Sequence, residues 1–383
     1  MDSKSDGARN QLLHFDLHID EHKPHKGILD LLGRLRPNWD AQDIQMKRFT
    51  EGITNQLMGC FVAPLQEPGC VLVRLYGQMT ELFVNRDREL EMFQVLHAHG
   101  CGPQIFCSFQ NGICYEFVRG TVLEDELLLQ PSIYRLIAAE MGRIHSIQPK
   151  CGAPAEPLLW TKMSHFLTLV QSYSSSEELR GTKSPVPSFE TLSAEMETLK
   201  RHLSQIDSPT VLCHNDLLTK NIIYNHKEGM VKFIDYEYAD YNYQAFDIGN
   251  HFNEFAGVSD VNYSRYPSRE LQRDWLTAYL QSYNHSTGRE VTVTEAEVTK
   301  LYIQVCKFSL ASNFFWGVWA ILQSRFSSID FDFERAQSHD PGLIHNADYR
   351  QALQSSHSPA AQMGHEGTEM EAMNDVGIEE LRL

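Results

Sequence analysis

One stretch of the sequence, residues 211–255, constrains the fold and chemistry of this chain more than any other. Asp216 is followed five residues later by Asn221, and a β-rich run after a turn at Gly229 ends at Asp235. Two short apolar strands, with the sequences IIY and VKFI, therefore form a predicted hairpin. This hairpin would hold acidic and amide side chains near each other, with one carboxylate on a loop and another at the end of the following strand.

The residue types in this segment suit phosphoryl transfer from a nucleotide. In such a reaction one aspartate orients and deprotonates the attacking hydroxyl, while an asparagine and a second aspartate hold Mg²⁺. Mg²⁺ takes hard oxygen ligands, so carboxylate and amide groups fit this task. The alternative is that the His-Asn-Asp sequence at 214–216 only caps a turn and that Asp235 only ends a strand. Any one of these residues alone would favour that alternative. Because all of them occur at this spacing, we instead expect Asp216, Asn221 and Asp235 to converge around one magnesium-bound nucleotide.

Residues 46–118 have the pattern of a strand-rich region with one helix. The strand VLVRLYG carries Arg74 between Val73 and Leu75, which places the arginine on the opposite face of the strand. We predict that this side chain points into a cleft rather than into solvent. Gly52, in FTEGITN, offers a turn where backbone N–H groups can approach phosphates, although a glycine between two strands is more often a simple hairpin turn.

Helical periodicity dominates the rest of the chain. Apolar residues at helical spacing predict helices within residues 81–100, 133–147, 160–173 and 189–203, with a Ser/Pro/Gly-rich linker at about 172–188. A further apolar segment, FFWGVWAIL, falls well short of the roughly 20 apolar residues that a bilayer requires. We therefore predict that it forms part of a core helix.

Six segments of this chain match motifs of a known family. They are FTEGITNQL at 49–57, VLVRLYG at 71–77, NGICYEF at 111–117, HNDLLTKNIIY at 214–224, IDYEYADYNYQAFDIGNHFNEFAGV at 234–258 and ASNFFWGVW at 311–319. On these segments the sequence resembles the choline/ethanolamine kinase family, relatives of protein kinases and aminoglycoside phosphotransferases, and most closely its ethanolamine kinases. The resemblance spans roughly residues 38–333.

The resemblance implies an α+β, bilobal protein-kinase-like fold with a small β-rich N-lobe and a larger, mainly helical C-lobe. We expect an N-terminal extension at 1–40, a nucleotide-binding N-lobe at 41–118 and a catalytic and substrate-binding C-lobe at 119–333. The polar tail, 334–383, diverges from the family, and we expect it to be disordered. Because Ala336 stands where the family has a tyrosine, one wall of the substrate pocket is expected to differ.

The resemblance also implies ATP and Mg²⁺ as cofactors and assigns roles to individual residues. Asp216 would be the catalytic base, and Asn221 and Asp235 would bind Mg²⁺. Glu237 would bind a second ion. The implied ATP-binding residues are Gly52, Thr54 and Asn55 in the glycine turn, Arg74 on the phosphates with Glu89 as its ion-pair partner, and Tyr115, Glu116 and Phe117 in the interlobe hinge.

The implied substrate is a small aminoalcohol, whose ammonium group aromatic rings attract by about 0.5–2 kcal/mol each. The implied substrate residues are Asp216, Tyr238, Glu254, Trp316, Trp319 and Phe331. Without the resemblance, the two tryptophans would be interpreted as core residues and Glu254 as a surface acid.

By this resemblance, the γ-phosphate of ATP passes to the hydroxyl of ethanolamine and gives phosphoethanolamine. This is the first step of the CDP-ethanolamine route to phosphatidylethanolamine. Two alternatives stay open. The chain could be a choline kinase, or it could be a catalytically impaired regulatory isoform because of its altered C-terminus.

Several histidines and one aspartate are predicted to have structural roles. Four N-terminal histidines would form a metal site only on one helix face, and Pro24 with the alternation in HFDLHID favours a short strand or loose arm instead. These solvated histidines are His14, His18, His22 and His25. We predict that His145 is a hydrogen-bonded core residue and that His214 supports the loop at Asp216. Asp247 is expected to anchor that loop through backbone N–H groups.

The charge balance excludes some partners. With 33 basic and 50 acidic residues, the net charge of −17 argues against broad electrostatic capture of nucleic acid or acidic lipids. The cysteines are scattered without a CxxC pair, which fits reduced thiols in the cytoplasm. The N-terminus fits no secretory signal, and we predict no stable membrane insertion. The expected partner is the small-molecule substrate, and whether the chain acts alone or as a homodimer stays open.

Overall fold

The computed structural model describes residues 12–49, 55–62, 69–77, 80–149, 156–174, 187–257, 262–290 and 292–326. The fold divides into two compact units. The first falls within Met1–Val122 and Ile223–Glu237, and the second within Leu123–Ile222 and Tyr238–Leu383. Residues 223–237 therefore fold with the first unit, although parts of the second precede and follow them in the chain.

The described elements alternate between strands and helices early in the chain and become mainly helical later. The strands are β1 (Leu13–Phe15), β2 (Gln45–Phe49), β3 (Gln56–Phe61), β4 (Val71–Leu75), β5 (Ile105–Phe109), β6 (Gly112–Glu116), β7 (Thr121–Val122), β8 (Thr210–Cys213), β9 (Ile222–Asn225), β10 (Met230–Phe233) and β11 (Asp240–Tyr243). The helices are α1 (Pro24–Leu35), α2 (Arg86–Ala98), α3 (Pro131–His145), α4 (Leu158–Ser174), α5 (Phe189–Leu203), α6 (Gln244–Glu254), α7 (Arg269–Ser286) and α8 (Glu295–Phe326).

A six-stranded sheet forms the framework of the first unit. Its strand order is β1-β5-β6-β4-β3-β2, with β1 parallel to β5 and the other neighbours antiparallel. In β4, all five residues are buried, as expected for a strand inside a sheet that is covered on both faces. Arg74 lies in this strand opposite Leu57 of β3 and Ile113 of β6, so the sheet fixes its position from both sides.

The N-terminal helix α1 covers one face of this sheet. Its residues Ile28, Leu31 and Leu32 are fully buried in the same core cluster as side chains of β3 to β6. The prediction of a loose arm is therefore wrong for Pro24–Leu35, whereas β1 confirms the predicted short strand. Proline is tolerated in the first turn of a helix, because its missing N–H would have no partner there. All four N-terminal histidines are exposed, in agreement with the prediction.

A small second sheet in the first unit has the strand order β10-β9-β7. The turn between β9 and β10 falls at Gly229, which has a φ of 63° and whose N–H donates to Asn225 O over 2.8 Å. Such a positive φ favours glycine, because glycine has no Cβ. The hairpin predicted from the sequence is therefore confirmed, and it delivers Asp235 just after β10 ends.

Packed helices make up most of the second unit. The helix α3 packs on α7, and α6 packs on α8, while β8 and β11 form a two-stranded antiparallel pair. The backbones of α6 and α8 approach closely at Gly249, where a Cβ would lie 2.9 Å from Ser309 N. The positions of α6 and the β8–β11 pair matter for function, because both contact the loop that carries Asp216.

The longest described helix, α8, contains the apolar segment FFWGVWAIL. Among the described helices it is long and apolar enough to cross a membrane, over Glu295–Ser324, but 61% of its most apolar window is buried inside the protein. Phe308, Phe315 and Leu322 are among its buried side chains. The prediction of a core helix is confirmed, since packing against α4 and α6 accounts for this apolar surface.

Candidate active site

Arg74 of β4 forms ion pairs with two carboxylates of the first unit, of which Glu89 is buried and Asp235 is partly exposed. Its side chain contacts Glu89 of α2, and its Nη1 donates to Asp235 Oδ1 over 2.9 Å. Arg74 and Glu89 are only 3% and 1% exposed. The predicted pairing of these two residues is thus confirmed. Because neither charge reaches solvent, each depends on its partners for compensation, and removal of either would leave the other with one buried counter-charge fewer.

Asp235 follows β10 in a left-handed conformation, with a φ of 63°. This region is sparsely populated by residues other than glycine, and residues held in it cluster at functional sites. Loss of hydration and the negative charge of Glu237 raise the pKa of Asp235 to about 6, against the opposing effects of Arg74 and Arg86. Two acidic groups are therefore held close enough to repel each other, as expected of ligands for a cation.

Arg86, at the start of α2, is a member of this site that the sequence analysis missed. Its Nη1 lies 2.9 Å from Glu89 Oε2 and 3.2 Å from Glu237 Oε2. Its guanidinium also lies 4.0 Å from the centre of the Tyr76 ring. A signal was present, because a cation in the first turn of a helix opposes the helix dipole and calls for an acidic partner.

The other predicted ATP-binding residues differ in what the structure describes. Gly52 and Thr54 lie outside the described residues. Asn55 donates through Nδ2 to Glu237 Oε2 over 3.1 Å, so this residue belongs to the same polar group as Arg86. The structure thus joins one residue of the glycine turn to a predicted metal ligand.

The predicted hinge residues lie at the end of β6. Tyr115 is buried, and its ring packs edge-on against Phe93 with centroids 5.5 Å apart. Glu116 is exposed, and its N–H donates to Gln104 O over 2.8 Å. Phe117 stacks on Phe49 with centroids 6.3 Å apart. These contacts fix the path of the chain here, and the adenine-reading role stays a prediction.

In the second unit, Asp247 of α6 anchors the loop that carries Asp216. Its carboxylate accepts the N–H groups of His214 and Asn215 over 2.9 and 2.7 Å. It also lies 2.9 Å from Nε2 of His145, whose Nδ1 lies 2.7 Å from the hydroxyl of Tyr279. Burial acts in the opposite direction, but the hydrogen bond from His145 holds the pKa of Asp247 below its usual range. The structural roles predicted for Asp247 and His145 are confirmed.

The loop itself is held in a strained form that presents two predicted catalytic residues. Asn215 has a φ of 66°, and the Asp216 N–H donates to His214 Nδ1 over 3.3 Å, which confirms the supporting role predicted for His214. Asn221 donates through Nδ2 to the main-chain oxygen of Asp216 over 2.8 Å. This bond uses the amide nitrogen of Asn221, so its Oδ1 is the atom left to bind a cation.

Three aromatic residues predicted to bind the substrate come together in the second unit. The rings of Tyr238 and Trp316 lie 5.3 Å apart, and those of Trp316 and Trp319 lie 5.4 Å apart. Trp319 Nε1 donates to the Tyr238 hydroxyl over 2.9 Å, and Trp316 Nε1 donates to Asn250 Oδ1 over 2.7 Å. Neither tryptophan is fully buried. Phe331, the remaining predicted aromatic residue, lies outside the described residues.

Glu254 ends α6 one turn beyond Asn250. Burial, with the negative charge of Asp125 as a second cause, raises the pKa of Glu254 to about 8. The neighbouring Phe255 lines a small cavity of about 110 Å³ together with Asp125, Glu126, Leu129 and Arg265. An acid in this setting is largely protonated at neutral pH and would gain from a cation beside it.

One further group of potential metal ligands is present among the described residues. His145, Cys213 and Asp247 have ligand-type atoms within 4.8 Å of one another, and all three are buried. His145 and Asp247 already use their polar atoms to hold the loop and each other. We therefore interpret this group as a loop anchor rather than as a metal centre.

The two units offer complementary chemistry. The first combines a buried arginine, Arg74, and the partly buried Arg86 with the carboxylates of Glu89, Asp235 and Glu237, which suits phosphate and a cation. The second presents Asp216 on an anchored loop and an aromatic cluster, which suits an alcohol that also carries a positive charge. That the groups of both units converge on one nucleotide stays a prediction.

Comparison with known proteins agrees with this chemistry. The chain is 52% identical over 315 residues to ethanolamine kinase 1 of Homo sapiens, a match that covers 82% of this chain and 70% of that protein. It is 50% identical over 322 residues to human ethanolamine kinase 2, covering 84% of this chain and 81% of that protein. The Drosophila melanogaster ethanolamine kinase is 35% identical, over 82% of this chain and 75% of that protein.

Solved structures support the predicted fold. An ethanolamine kinase from Plasmodium vivax has a TM-score of 0.73 at 25% identity, over 88% of this chain and 92% of that one. A choline kinase from Cryptosporidium parvum Iowa II has a TM-score of 0.67 at 23% identity, over 92% of this chain and 97% of that one, which speaks for the fold alone. The α+β protein-kinase-like fold, with a β-rich and a mainly helical unit, is therefore confirmed.

The family model for choline/ethanolamine kinases matches residues 46–340, which is most of the chain. The match extends to residue 340 and so runs past residue 333, where the sequence analysis placed the end of the resemblance. The polar tail beyond lies outside the described residues. On this match, and on relatives that share half of their residues with it, the chain belongs to the choline/ethanolamine kinase family.

Proposed function

We propose that this protein is an ethanolamine kinase that transfers the γ-phosphate of ATP to the hydroxyl of ethanolamine and forms phosphoethanolamine. The observation that carries the proposal is the identity of 50–52% with proteins named ethanolamine kinase over more than four-fifths of the chain. The product is an intermediate of phosphatidylethanolamine synthesis by the CDP-ethanolamine route. The enzyme would therefore act at the first step of that route.

In this proposal Asp216 is the general base toward the hydroxyl of the substrate. A positioned base typically contributes about 10²–10⁴ to the rate. Its carboxylate needs no raised pKa, because proton transfer from the alcohol accompanies formation of the O–P bond and positioning supplies most of the catalysis. The anchoring of its loop by Asp247 supports this role, since the anchor fixes the backbone of His214 and Asn215 directly before Asp216.

Asn221, Asp235 and Glu237 are the residues we propose to hold Mg²⁺. Their oxygen atoms fit the preference of this ion. Loss of hydration and, second, the negative charge of Glu237 raise the pKa of Asp235, and a divalent cation beside the carboxylate would oppose both effects. When bound, Mg²⁺ neutralises charge on the phosphates of ATP. Arg74 would add a positive charge toward the same phosphates, with Glu89 holding its side chain in place.

Tyr238, Trp316 and Trp319 are the residues we propose to bind the ammonium group, with Glu254 as the counter-charge. Each ring can contribute about 0.5–2 kcal/mol by cation–π attraction. A bound ammonium would favour the ionised form of Glu254, so substrate binding would release a proton at neutral pH. A primary ammonium can also donate hydrogen bonds to this carboxylate, which a quaternary ammonium cannot.

Choline kinase is the second candidate, because the aromatic cluster would also suit a quaternary ammonium and the fold is shared with a choline kinase. A catalytically impaired regulatory form is the third, because the family match ends at residue 340 and we expect the polar tail that follows to diverge from the family. Such a form would bind nucleotide without amine-dependent release of ADP. Restoring an aromatic C-terminal helix should then recover activity.

We also propose a cytoplasmic location for the enzyme and a small molecule as its main partner. The seven cysteines that the structure describes are free thiols, which fits a reducing compartment. Whether the enzyme works as a homodimer can be decided by light scattering on the purified chain.

The test is phosphorus NMR of the purified chain with ATP, Mg²⁺ and ethanolamine. The expected result is a phosphoethanolamine signal that depends on the amine and is reduced at least a hundredfold in Asp216→Asn. The matched control is Asp207→Asn, the same change at an exposed aspartate of the same unit. Nucleotide binding without product would favour the regulatory form, and full turnover by Asp216→Asn would refute the assignment of the base.

A further inference from the structure

The first unit contains a chain of five residues with alternating charge, and its two ends are the carboxylates proposed to bind metal. Asp235 pairs with Arg74, Arg74 with Glu89, Glu89 with Arg86, and Arg86 with Glu237. Glu89 lies in the middle and uses one carboxylate oxygen for each arginine. The arrangement therefore has two arms, of which the sequence analysis anticipated only the arm through Arg74.

The arm through Arg86 is held by several contacts. The side chain of Arg86 is 16% exposed, and its Nη2 donates to Thr80 Oγ1 over 2.6 Å. Its guanidinium lies over the Tyr76 ring. These contacts leave Arg86 few alternative positions, so its bond to Glu237 has a fixed direction.

Glu237 in turn depends on this arm. The side chain is 5% exposed, and its Oε2 accepts hydrogen bonds from Arg86 Nη1 and Asn55 Nδ2. Asn55 is itself fixed, because its Oδ1 accepts the N–H of Gly77 over 3.3 Å. Donors to one oxygen of a carboxylate set the direction of the other oxygen, which is how residues behind a metal ligand tune a metal site.

We propose that Arg86 is a positioning residue that orients Glu237 as a ligand for a divalent cation, as Arg74 orients Asp235. The proposal rests on the proposed function, because the cation enters with the nucleotide. Lysine is a poor substitute at this position, since only a guanidinium can donate to Glu89, Glu237 and Thr80 at once while it stacks on a ring.

The experiment measures binding of Mn²⁺ by electron paramagnetic resonance, with a non-hydrolysable ATP analogue present. The wild-type chain is expected to bind two Mn²⁺. Arg86→Gln is expected to weaken one of them at least tenfold, in line with the 10- to 100-fold typical of such positions, and to leave the other within about twofold. The matched control is Arg88→Gln on the same helix, where Arg88 pairs with Glu91 at the surface.

Two further variants keep the test decisive. Arg86→Lys retains the positive charge, so it should fold even if Arg86→Gln does not, and it should show the same selective loss. Glu237→Gln should weaken the same ion, and adding Arg86→Lys to it should change Mn²⁺ affinity by less than about twofold, because both changes remove one interaction.

The outcomes separate this inference from the proposed function. Wild-type affinity for both ions in Arg86→Lys, or a single Mn²⁺ in the wild type, would overturn the role of Arg86 and leave the kinase assignment intact. Absence of Mn²⁺ and of phosphoethanolamine formation in the wild type would overturn both.

Discussion

The two units fix their candidate catalytic groups by different means. In the first, charged side chains hold one another, and Asp235 and Glu237 are each paired with an arginine. In the second, the buried carboxylate of Asp247 holds the backbone of a loop, and the catalytic candidate Asp216 takes its position from that backbone. Both arrangements include a residue other than glycine at positive φ, Asp235 in one and Asn215 in the other.

This difference has a physical consequence. A side chain such as Arg74 can exchange a charged partner for a phosphate when the nucleotide arrives, whereas a backbone held by a buried carboxylate cannot move without breaking several bonds together. We therefore expect changes in the first unit to affect nucleotide and metal affinity, and changes at the loop anchor to affect folding itself.

The largest effect is expected for Asp247→Ala. The change leaves two buried N–H groups and the ring of His145 without their acceptor, and breaking a buried pair in this way costs about 3–5 kcal/mol. This loss of stability is measured as the difference in the free energy of unfolding between the wild type and Asp247→Ala in urea titrations. The control Asp207→Ala removes an exposed carboxylate that lies 3.5 Å from Lys300 Nζ, and it should cost less than about 1 kcal/mol. A similar small loss for Asp247→Ala would show that the loop has another anchor.

The second effect is expected for Arg74→Met, which keeps the apolar stem and removes the charge. We expect kcat/KM for ATP to fall about 100-fold, equivalent to about 2.7 kcal/mol, because the phosphates lose a cation and Glu89 keeps only Arg86. Steady-state kinetics with varied ATP measure it. Arg48→Met, at an exposed position of β2, is the control. If both variants keep wild-type kcat/KM, Arg74 has no role toward the nucleotide.

The third effect concerns pH and Glu254. The pKa of Glu254 is raised to about 8, so its carboxyl must lose a proton before it can act as the counter-charge of the ammonium. KM for ethanolamine should therefore fall by up to tenfold per pH unit as the pH rises from 6 to 8. Glu254→Gln should raise KM and remove this dependence, while Glu290→Gln, at an exposed acid, should retain it. An unchanged pH profile in Glu254→Gln would exclude Glu254 as the counter-charge.

The same raised pKa predicts a change in stability. The pKa of this carboxyl is about 8 in the folded protein and 4.5 in the unfolded chain, so its protonated form stabilises the folded state at low pH. This contribution to the free energy of unfolding is lost as the pH rises from about 4.5 to about 8. Relative to wild type, Glu254→Gln should therefore gain stability between pH 5 and pH 8 in thermal melts without substrate. A constant difference across this range would contradict the burial of an ionisable acid here.

The smallest effect is expected at the aromatic cluster. Trp319→Leu removes one ring, so KM for ethanolamine should rise by about 2- to 30-fold at constant kcat, which corresponds to about 0.5–2 kcal/mol of cation–π attraction. Trp319→Phe keeps a ring and loses only the hydrogen bond to the Tyr238 hydroxyl. Its KM for ethanolamine should therefore lie between those of the wild type and Trp319→Leu. Equal KM values for all three proteins would indicate that Trp319 is only a packing residue.

Local patterns in the sequence were sufficient to predict several parts of the site. Alternation in β4 indicated the inward position of Arg74, and the hairpin at Gly229 followed from two apolar runs around a turn. The pairing of Arg74 with Glu89 and the anchoring role of Asp247 were expected from the family resemblance and the motif that contains them. Each of these features depends on short segments whose pattern determines their structure.

The features that were missed depend on contacts between distant segments. Arg86 meets Glu237 across 151 positions of the chain, and its place in the first turn of α2 signals that it needs an acidic partner without identifying which one. The helix α1 was missed for a different reason. From the sequence alone Pro24 suggests a break in regular structure, whereas it occupies the first turn of a helix whose apolar residues are stabilised by the sheet beneath them.

The most direct test of the account is the ratio of kcat/KM for ethanolamine to kcat/KM for choline, measured with ATP and Mg²⁺ on the purified full-length chain. We predict turnover with either amine as the only substrate, and a ratio well above 1. The reason is that Glu254 can accept hydrogen bonds from the primary ammonium of ethanolamine, whereas the quaternary ammonium of choline has no N–H to donate. A ratio below 1 would make the protein a choline kinase. Absence of amine-dependent turnover with either substrate would contradict the central claim that this chain is a catalytically active small-molecule kinase.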